Sequence, residues 1–593
     1  MSDKNNRSSA FAAALAALVA AAGITALLLA FVPFEWAKER ADHYAADGRA
    51  DFFTEPAFEA IGLRLRIAAA ALLCLGGLSW WKRKSIAGFL DELSESAGSL
   101  LQDLKSQIRE GLRTSGKAHL WTLGGILLAG TALRVYFLFQ PFRCDEAFSF
   151  TNYVSKPLYI ALSNYSEPNN HLFHTFLSRL SFLLFGGEPW ALRLPALLAG
   201  ILLIPTAYLA LRLMCGKEAA LLGTALTASS VELIKYSTNA RGYSLVGLFF
   251  LLLLCLSIYL RESHRSLAGW SLFSLFSALG LYTVPTMLLP LGGLGLWLLL
   301  EGAFFESQDK KKEFIGHLVL FSLAAAALTL LLYAPAFVAV SGGKVAANPW
   351  VSSAGWEKFS EGFPRYAWVT WMQWNRDLPS LLAWLISLGV LLDLALYRQS
   401  GTQKVPIAIP LLVWGSLFAV GRTIVPPARS WLYLAPLYYG LGAAGILLFI
   451  YRIFKRSEST AANTAIALAL LLALGLGGKT ALTGTVYRSD ETGEAIDGKS
   501  IAQYLAPKIQ EGDAVVGGGL TPPTLRYYFG KEKLLADPFN GELHSRRRLF
   551  VVVPKGANPR KTLSALGITA GKMQLLKTFG RFRPAEIYET APE

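Results

Sequence analysis

The sequence predicts a mainly α, polytopic membrane protein with a small α/β unit at its C-terminal end. Three observations carry this. Charged residues make up 16% of the 593 and hydrophobic ones 53%, against roughly 25% charged in soluble globular chains, and the mean hydropathy is +0.40. Apolar runs recur along most of the chain: Ala10 to Val32 is uncharged over about the 20 residues a bilayer crossing needs. From about residue 485 the composition turns to that of a soluble domain.

About thirteen spans are expected, centred near residues 21, 71, 129, 200, 226, 251, 275, 293, 326, 387, 413, 440 and 472. The first reads as an anchor and not a cleavable signal, being long and only weakly basic upstream. If the spans alternate, "WKRKS" (81–85), "RESHR" (261–265), "DKKKE" (309–313), "YRQSGTQK" (397–404) and "YRIFKR" (451–456) share one side. The positive-inside rule makes that side cytoplasmic. The net charge of +15 is thereby explained without nucleic acid. An odd number of spans puts the C-terminal unit outside, and the setting expected is the cell's inner (plasma) membrane. Four cysteines, Cys74, Cys144, Cys215 and Cys255, lie mostly in or beside apolar runs and form no disulfide framework or metal-binding spacing.

Three segments stand apart from the spans. Residues 82–117 have apolar positions at steps of three and four, from Ile86 and Phe89 to Ile108 and Leu112, the stripe of an amphipathic helix on the cytoplasmic surface. Residues 140–189 form a long outer loop holding "NNHLFHTFLSRLSFLLFGG", a half-apolar helix too polar at its start to span. In the C-terminal unit, "IAQYLAPKIQEGDAVVGGG" reads as helix, turn and buried strand, "RRRLFVVVP" as a second strand and "KTLSALG" as a helix. Its Gly run lacks the Gly-Lys-Ser/Thr ending of a phosphate loop. The expected division is 1–118, an N-terminal two-helix membrane extension; 119–484, a transmembrane core; and 485–593, the soluble unit.

The candidate chemistry gathers on the outer face. "FRCDEAFSF" (142–150) ends the third span with Asp145 and Glu146, and intramembrane carboxylates are costly unless they work, pair or reach water. The same face collects Glu167, Asn169, Asn170, His171 and His174 from "SEPNNHLFH", Arg241 and Tyr243 from "YSTNARGYS", and Arg429 from "VPPARSWLYLAP". A carboxylate can take a proton from an acceptor hydroxyl attacking a sugar's anomeric carbon, while guanidinium groups hold a departing phosphate. A paired-acid glycosidase needs two carboxyls held apart across the bond, which adjacent residues do not guarantee. His171 and His174 lack a clear third metal ligand; no metal site is assigned and a divalent cation is left open. The aromatics of "YAWVTWMQW" (366–374) fit an interfacial belt.

These residues resemble the polyprenyl-phosphate-dependent glycosyltransferases of the GT-C fold, in particular the family 39 group of protein O-mannosyltransferases and aminoarabinose transferases. The matching pieces are the Asp-Glu pair at 145 and 146, "PNNHLFHTFLSRLSFLLFGGEPWALRLPALLAG" (168–200), "YSTNARGYSL" (236–245) and "RSWLYLAP" (429–436), within about residues 119–484. The resemblance implies Asp145 as catalytic base, Glu146 supporting acceptor or sugar, and Arg241, Arg429 and His171 on the donor phosphate. Glu167, Asn169, Asn170, His174, Tyr243 and Tyr282 are the expected acceptor and sugar contacts. Two departures are visible: "PNNHL" stands where relatives carry Lys-Pro-Pro or His-Pro-Pro, and "LYTVP" with Val284 stands where many carry an outer-face histidine.

The expectation is an inverting transfer of a sugar from a polyprenyl-phosphate donor, in a setting of membrane lipids, to a lipid, glycan or protein acceptor outside the cytosol. A ligase or polymerase using a diphosphate carrier is a second reading. A transporter of lipid-linked substrate is a third, which the want of an internal repeat disfavours.

Overall fold

The computed structural model describes residues 2–44, 53–165, 167–305, 307–339, 353, 355–397, 404–454, 458–489, 491–493, 496–518, 521–531, 539, 543, 546–569 and 571–591. Among them, nine helices are long and apolar enough to cross a membrane by length and composition, and four shorter apolar helices accompany them. The chain is a multi-pass membrane protein, and every one of the thirteen expected centres falls inside a helix.

The N-terminal extension is α1 (Ser2–Leu29), α2 (Phe34–Tyr44) and α3 (Glu55–Trp81), followed by α4 (Arg83–Thr114) along one end of the bundle. The core begins with α5 (Lys117–Leu138). The 140–189 loop carries helices α6 (Cys144–Ser149), α7 (Leu158–Ser163) and α8 (Leu172–Phe185). The bundle continues through α9 (Pro189–Cys215), α10 (Lys217–Ser229), α11 (Val231–Ser237), α12 (Tyr243–Glu262), α13 (Leu267–Thr283), α14 (Leu288–Ala303) and α15 (Gln308–Ala339). It closes with α16 (Trp356–Trp374), α17 (Ser380–Leu396), α18 (Ala408–Arg422), α19 (Ala435–Phe454) and α20 (Glu458–Thr483).

The span expected near residue 226 is a broken helix. α10 has 13 residues, a rise of about 20 Å that falls short of the hydrocarbon thickness of about 30 Å. Extended backbone at Ser230 (ψ 121°) separates it from α11. The break is enclosed by protein, since both helices are buried from Ala219 to Ser237, which is where irregular backbone at membrane depth is tolerated. α11 also holds Glu232 and Lys235 on one face; their charged ends pair with each other, and Arg376 approaches Glu232 at 3.3 Å.

The basic loops converge on one end. Arg261 pairs with Glu301 at 3.3 Å, Arg265 pairs with Glu313 at 2.8 Å, and Glu301 accepts the Lys404 and Val405 backbone N–H groups. α4 joins them through Asp103, which accepts from the Tyr259 hydroxyl, and Ser96, which accepts from the Ala268 N–H. Its expected stripe is present, with Leu101, Leu104, Ile108 and Leu112 exposed. Residues 398–403 and 455–457 of the two remaining basic loops lie outside the described residues.

At the opposite end sits the C-terminal unit, a four-stranded sheet in the order β1 (Asp513–Gly517), β2 (Arg548–Pro554), β4 (Ala585–Thr590), β3 (Gln574–Phe579). β1 and β2 are parallel and the other pairings antiparallel. The helix, turn and two strands read from sequence are present; β3 and β4 went unread. β3 is mostly exposed, alternating too weakly to stand out. The sheet unit shares a hydrophobic core with that end of the bundle. Phe142, Ala147, Leu192 and Ala240 pack with Ile501, Leu525 and Ile587, and the Tyr528 hydroxyl accepts the Phe142 N–H at 3.0 Å.

Helix approach in the bundle relies on small residues. α17 and α19 touch backbone to backbone: a Cβ on Gly445 would fall on the Gly389 carbonyl oxygen, and one on Gly389 on the Gly442 carbonyl. Gly445→Leu is therefore expected to cost about 3 kcal/mol through overpacking, read as a lowered unfolding temperature of purified protein in detergent.

Candidate active site

The site is built around a carboxylate that takes no part in solvent. Glu146 lies in the first turn of α6 and is wholly buried against Arg193 at the start of α9. Arg193 Nε and Nη2 grip its two oxygens at 2.6 and 2.7 Å, the bidentate geometry of the strongest ion pairs. The remaining Arg193 donors go to the carbonyls of Leu138, Gln140 and Pro141, so all five are used. Glu146 also accepts the N–H of Arg143 at 3.0 Å and of Ala240 at 2.7 Å. One satisfied pair thus fixes the end of α5, the 140–143 turn, α6, α9 and the 239–242 segment. The sequence expectation that Glu146 contacts acceptor or sugar meets a carboxylate already filled by four donors.

Its neighbour is different. Asp145 is part-exposed, with 19% of its side chain accessible, and its Oδ2 stands 4.0 Å from Arg241 Nη2. Arg143 does not bridge the acidic pair: its guanidinium turns away to Gln140 Oε1 at 2.9 Å, the Val486 carbonyl and Thr492 Oγ1. α6 runs on into a π-helical turn over Phe150–Val154, a feature frequent at functional sites.

Arg241 is the hub on the open side. Nη1 donates to the Asn169 carbonyl at 2.6 Å and to Ser149 Oγ at 3.2 Å, and Nη2 lies 3.0 Å from His171 Nε2. Its buried Nε has no hydrogen-bond partner among the described residues. His171 Nδ1 accepts the Gly242 N–H at 2.8 Å. That approach needs glycine, since a Cβ at 242 would collide with Thr283 Cγ2. Burial, then the Arg241 charge, hold the His171 imidazole well below its usual pKa. A narrow cleft with a free volume of about 10 Å³ is lined by Ser149, Asn169, His171, His174, Arg241 and the buried Glu146. His174 Nε2 is buried there without a partner among the described residues.

Arg429 completes the rim. Its guanidinium lies 5.9 Å from the Tyr243 ring centroid, and Tyr243 packs edge-on against His171 at 5.1 Å. Asp145, His171, Arg241, Tyr243 and Arg429 are therefore brought together, with Asn169 beside them. Asn170 is placed otherwise: its amide donates to the Ala161 and Asn164 carbonyls and accepts from Thr175, holding the loop. Tyr282 belongs to an aromatic cluster with Tyr333 and Tyr165, and Glu167 is exposed on the loop. Of the 366–374 aromatics, Tyr366 and Trp368 are exposed, and in the same helix Gln373 turns toward Glu491. Among the described residues no three His, Cys, Asp or Glu side chains come together as metal ligands.

Sequence reading passed over Arg193 and Glu491. An arginine four residues into a span is itself a signal of a partner. Nothing marks Glu491, whose place is set by the fold.

The block that carries most of this rim has relatives. Residues 167–337 match the family described as dolichyl-phosphate-mannose-protein mannosyltransferase. His171, His174 and Arg241 lie inside that match, in keeping with the family 39 resemblance read from the motifs. Among solved structures, the chain is similar to ArnT from Cupriavidus metallidurans in the apo state, at 13% identity over 79% of this chain and 97% of that one, TM-score 0.48. The same protein bound to undecaprenyl phosphate gives 14% identity, 80% and 98% coverage and TM-score 0.48. The Archaeoglobus fulgidus oligosaccharyltransferase tethered with an acceptor peptide gives 13% identity, 69% and 63% coverage and TM-score 0.41. No curated protein matches the chain.

Breaking the central pair leaves a buried, uncompensated charge. Arg193→Met is expected to cost about 3–5 kcal/mol, seen as loss of the folded, monodisperse protein, with partial recovery when Glu146→Gln is added.

Proposed function

We propose that the chain is an integral-membrane glycosyltransferase that moves a sugar from a polyprenyl-monophosphate donor to an acceptor hydroxyl at the non-cytosolic face. The observation that carries the reading is the juxtaposition of one part-exposed carboxylate, Asp145, with Arg241, Arg429 and His171; of these, His171 and Arg241 lie in the segment matching the mannosyltransferase family.

In the proposed step the acceptor oxygen attacks the anomeric carbon from the face opposite the phosphate. The O–H proton passes to the Asp145 carboxylate. The bond from the anomeric carbon to the phosphate oxygen breaks with its electron pair, and polyprenyl phosphate leaves with inversion. Arg241 and Arg429 receive the charge that develops on that phosphate. His171 supports the same site: with Nδ1 accepting from Gly242, its proton sits on Nε2, so two donors, Nε2–H and Arg241 Nη2, face one another. An anion satisfies both. Glu146 acts as a positioning residue, locking α6 so that Asp145 is held beside Arg241.

Asp145→Asn keeps the shape and removes the proton acceptor. Release of polyprenyl phosphate from a panel of polyprenyl-monophosphate sugars, measured with purified protein, is expected to fall by about 10²–10⁴ with the unfolding temperature unchanged. Undiminished turnover in that variant ends the mechanism.

A further inference from the structure

The segment leading from α20 to the sheet unit places a second carboxylate at the rim. Glu491 Oε2 lies 3.5 Å from Arg429 Nη1, and its backbone carbonyl accepts from the same nitrogen at 3.1 Å. The Tyr236 hydroxyl donates to Oε2 at 3.3 Å and the Gln373 amide to Oε1 at 3.5 Å. Guanidinium, phenol and amide come from three elements, the 428–434 turn, α11 and α16. They converge on one anion. The pair is only part-exposed, 18% for Arg429 and 17% for Glu491, and Arg429 Nε is buried with no hydrogen-bond partner among the described residues.

We infer that the Glu491 carboxylate is a built-in competitor for Arg429, standing where the phosphate of the lipid donor binds and setting how tightly that phosphate is held. This rests on the reading above, in which Arg429 receives that phosphate. The donor set supports it: a charged fork with two neutral hydrogen-bond donors takes a phosphate as readily as a carboxylate. The donor's phosphodiester, with one negative charge, meets the carboxylate on equal terms, and the released polyprenyl phosphate, a monoester approaching two charges, outcompetes it for the same cation. The exchange is a side-chain movement, because the flanking backbone is tethered. Arg143 holds the Val486 carbonyl and Thr492 Oγ1, so the segment stays while the carboxylate swings off. Arg143 also begins α6, and the tether thereby ties the competitor to the helix that carries Asp145.

Binding of decaprenyl monophosphate to purified protein in detergent, followed by tryptophan fluorescence, separates the possibilities. Glu491→Gln is expected to bind about fivefold tighter than the parent, the scale of one part-exposed ion pair. Glu491→Ala should show the same gain, and a gain cannot come from a damaged fold. Arg429→Ala should lose binding, and adding Glu491→Gln to it should restore nothing. Equal or weaker binding by both Glu491 variants, while the parent binds and Arg429→Ala does not, overturns the competition and leaves the donor reading intact. A gain that persists without Arg429 overturns it as well. No binding by the parent or by either Glu491 variant overturns both.

Discussion

The buried Glu146–Arg193 pair is the constraint on which the cleft end of the bundle depends. A carboxylate and a guanidinium removed from water are tolerated only when nearly every lone pair and proton is satisfied, and here the account closes on both sides. Five pieces of chain are drawn to one point. Without that point the 140–150 segment would have no reason to turn back into the bundle, and Asp145 would have no fixed direction. Two adjacent acids are thus placed differently: α6 sends one inward to hold the scaffold and leaves the other part-exposed beside Arg241.

The same logic explains why the C-terminal unit is part of the site's scaffold. Phe142 meets Tyr527 edge-on at 4.5 Å, Lys531 pairs with Glu188 at 2.7 Å, and the Arg143 guanidinium reaches the segment that precedes the sheet. A division of the chain at 484 follows composition, yet the hydrophobic core runs across it. The rim around Arg429 draws on both sides of that boundary, since Glu491 arrives from beyond the last long helix. Rigid support is what a reacting geometry needs, because small displacements of a catalytic group are costly in rate.

Charge is segregated along the bundle. One end gathers Arg261, Glu301, Arg265 and Glu313 with the polar edge of α4; the other gathers the cleft and its cations. Between them α10 and α11 form a broken, protein-enclosed helix carrying the Glu232–Lys235 pair. The buried Glu232 carboxylate there is paired with Lys235 and approached by Arg376.

The sequence by itself determined the solvent, the helices and the chemistry of the rim. Apolar runs of span length can only be read one way in lipid, which is why all thirteen centres fall in helices. Residue types in short motifs picked out Asp145, His171, Arg241 and Arg429. What it left undecided were the matters that depend on which atom faces which. Asp145 and Glu146 are indistinguishable as letters, and only packing against Arg193 buried one as a scaffold and left the other part-exposed beside Arg241. Asn170 and Tyr282 sit in motifs beside the site yet spend their side chains on a loop and an aromatic cluster. Glu491 lies 62 residues from Arg429 along the chain, and no local pattern records that approach. Periodicity and composition are properties of neighbours in sequence; a hydrogen-bonded site is a property of neighbours in space.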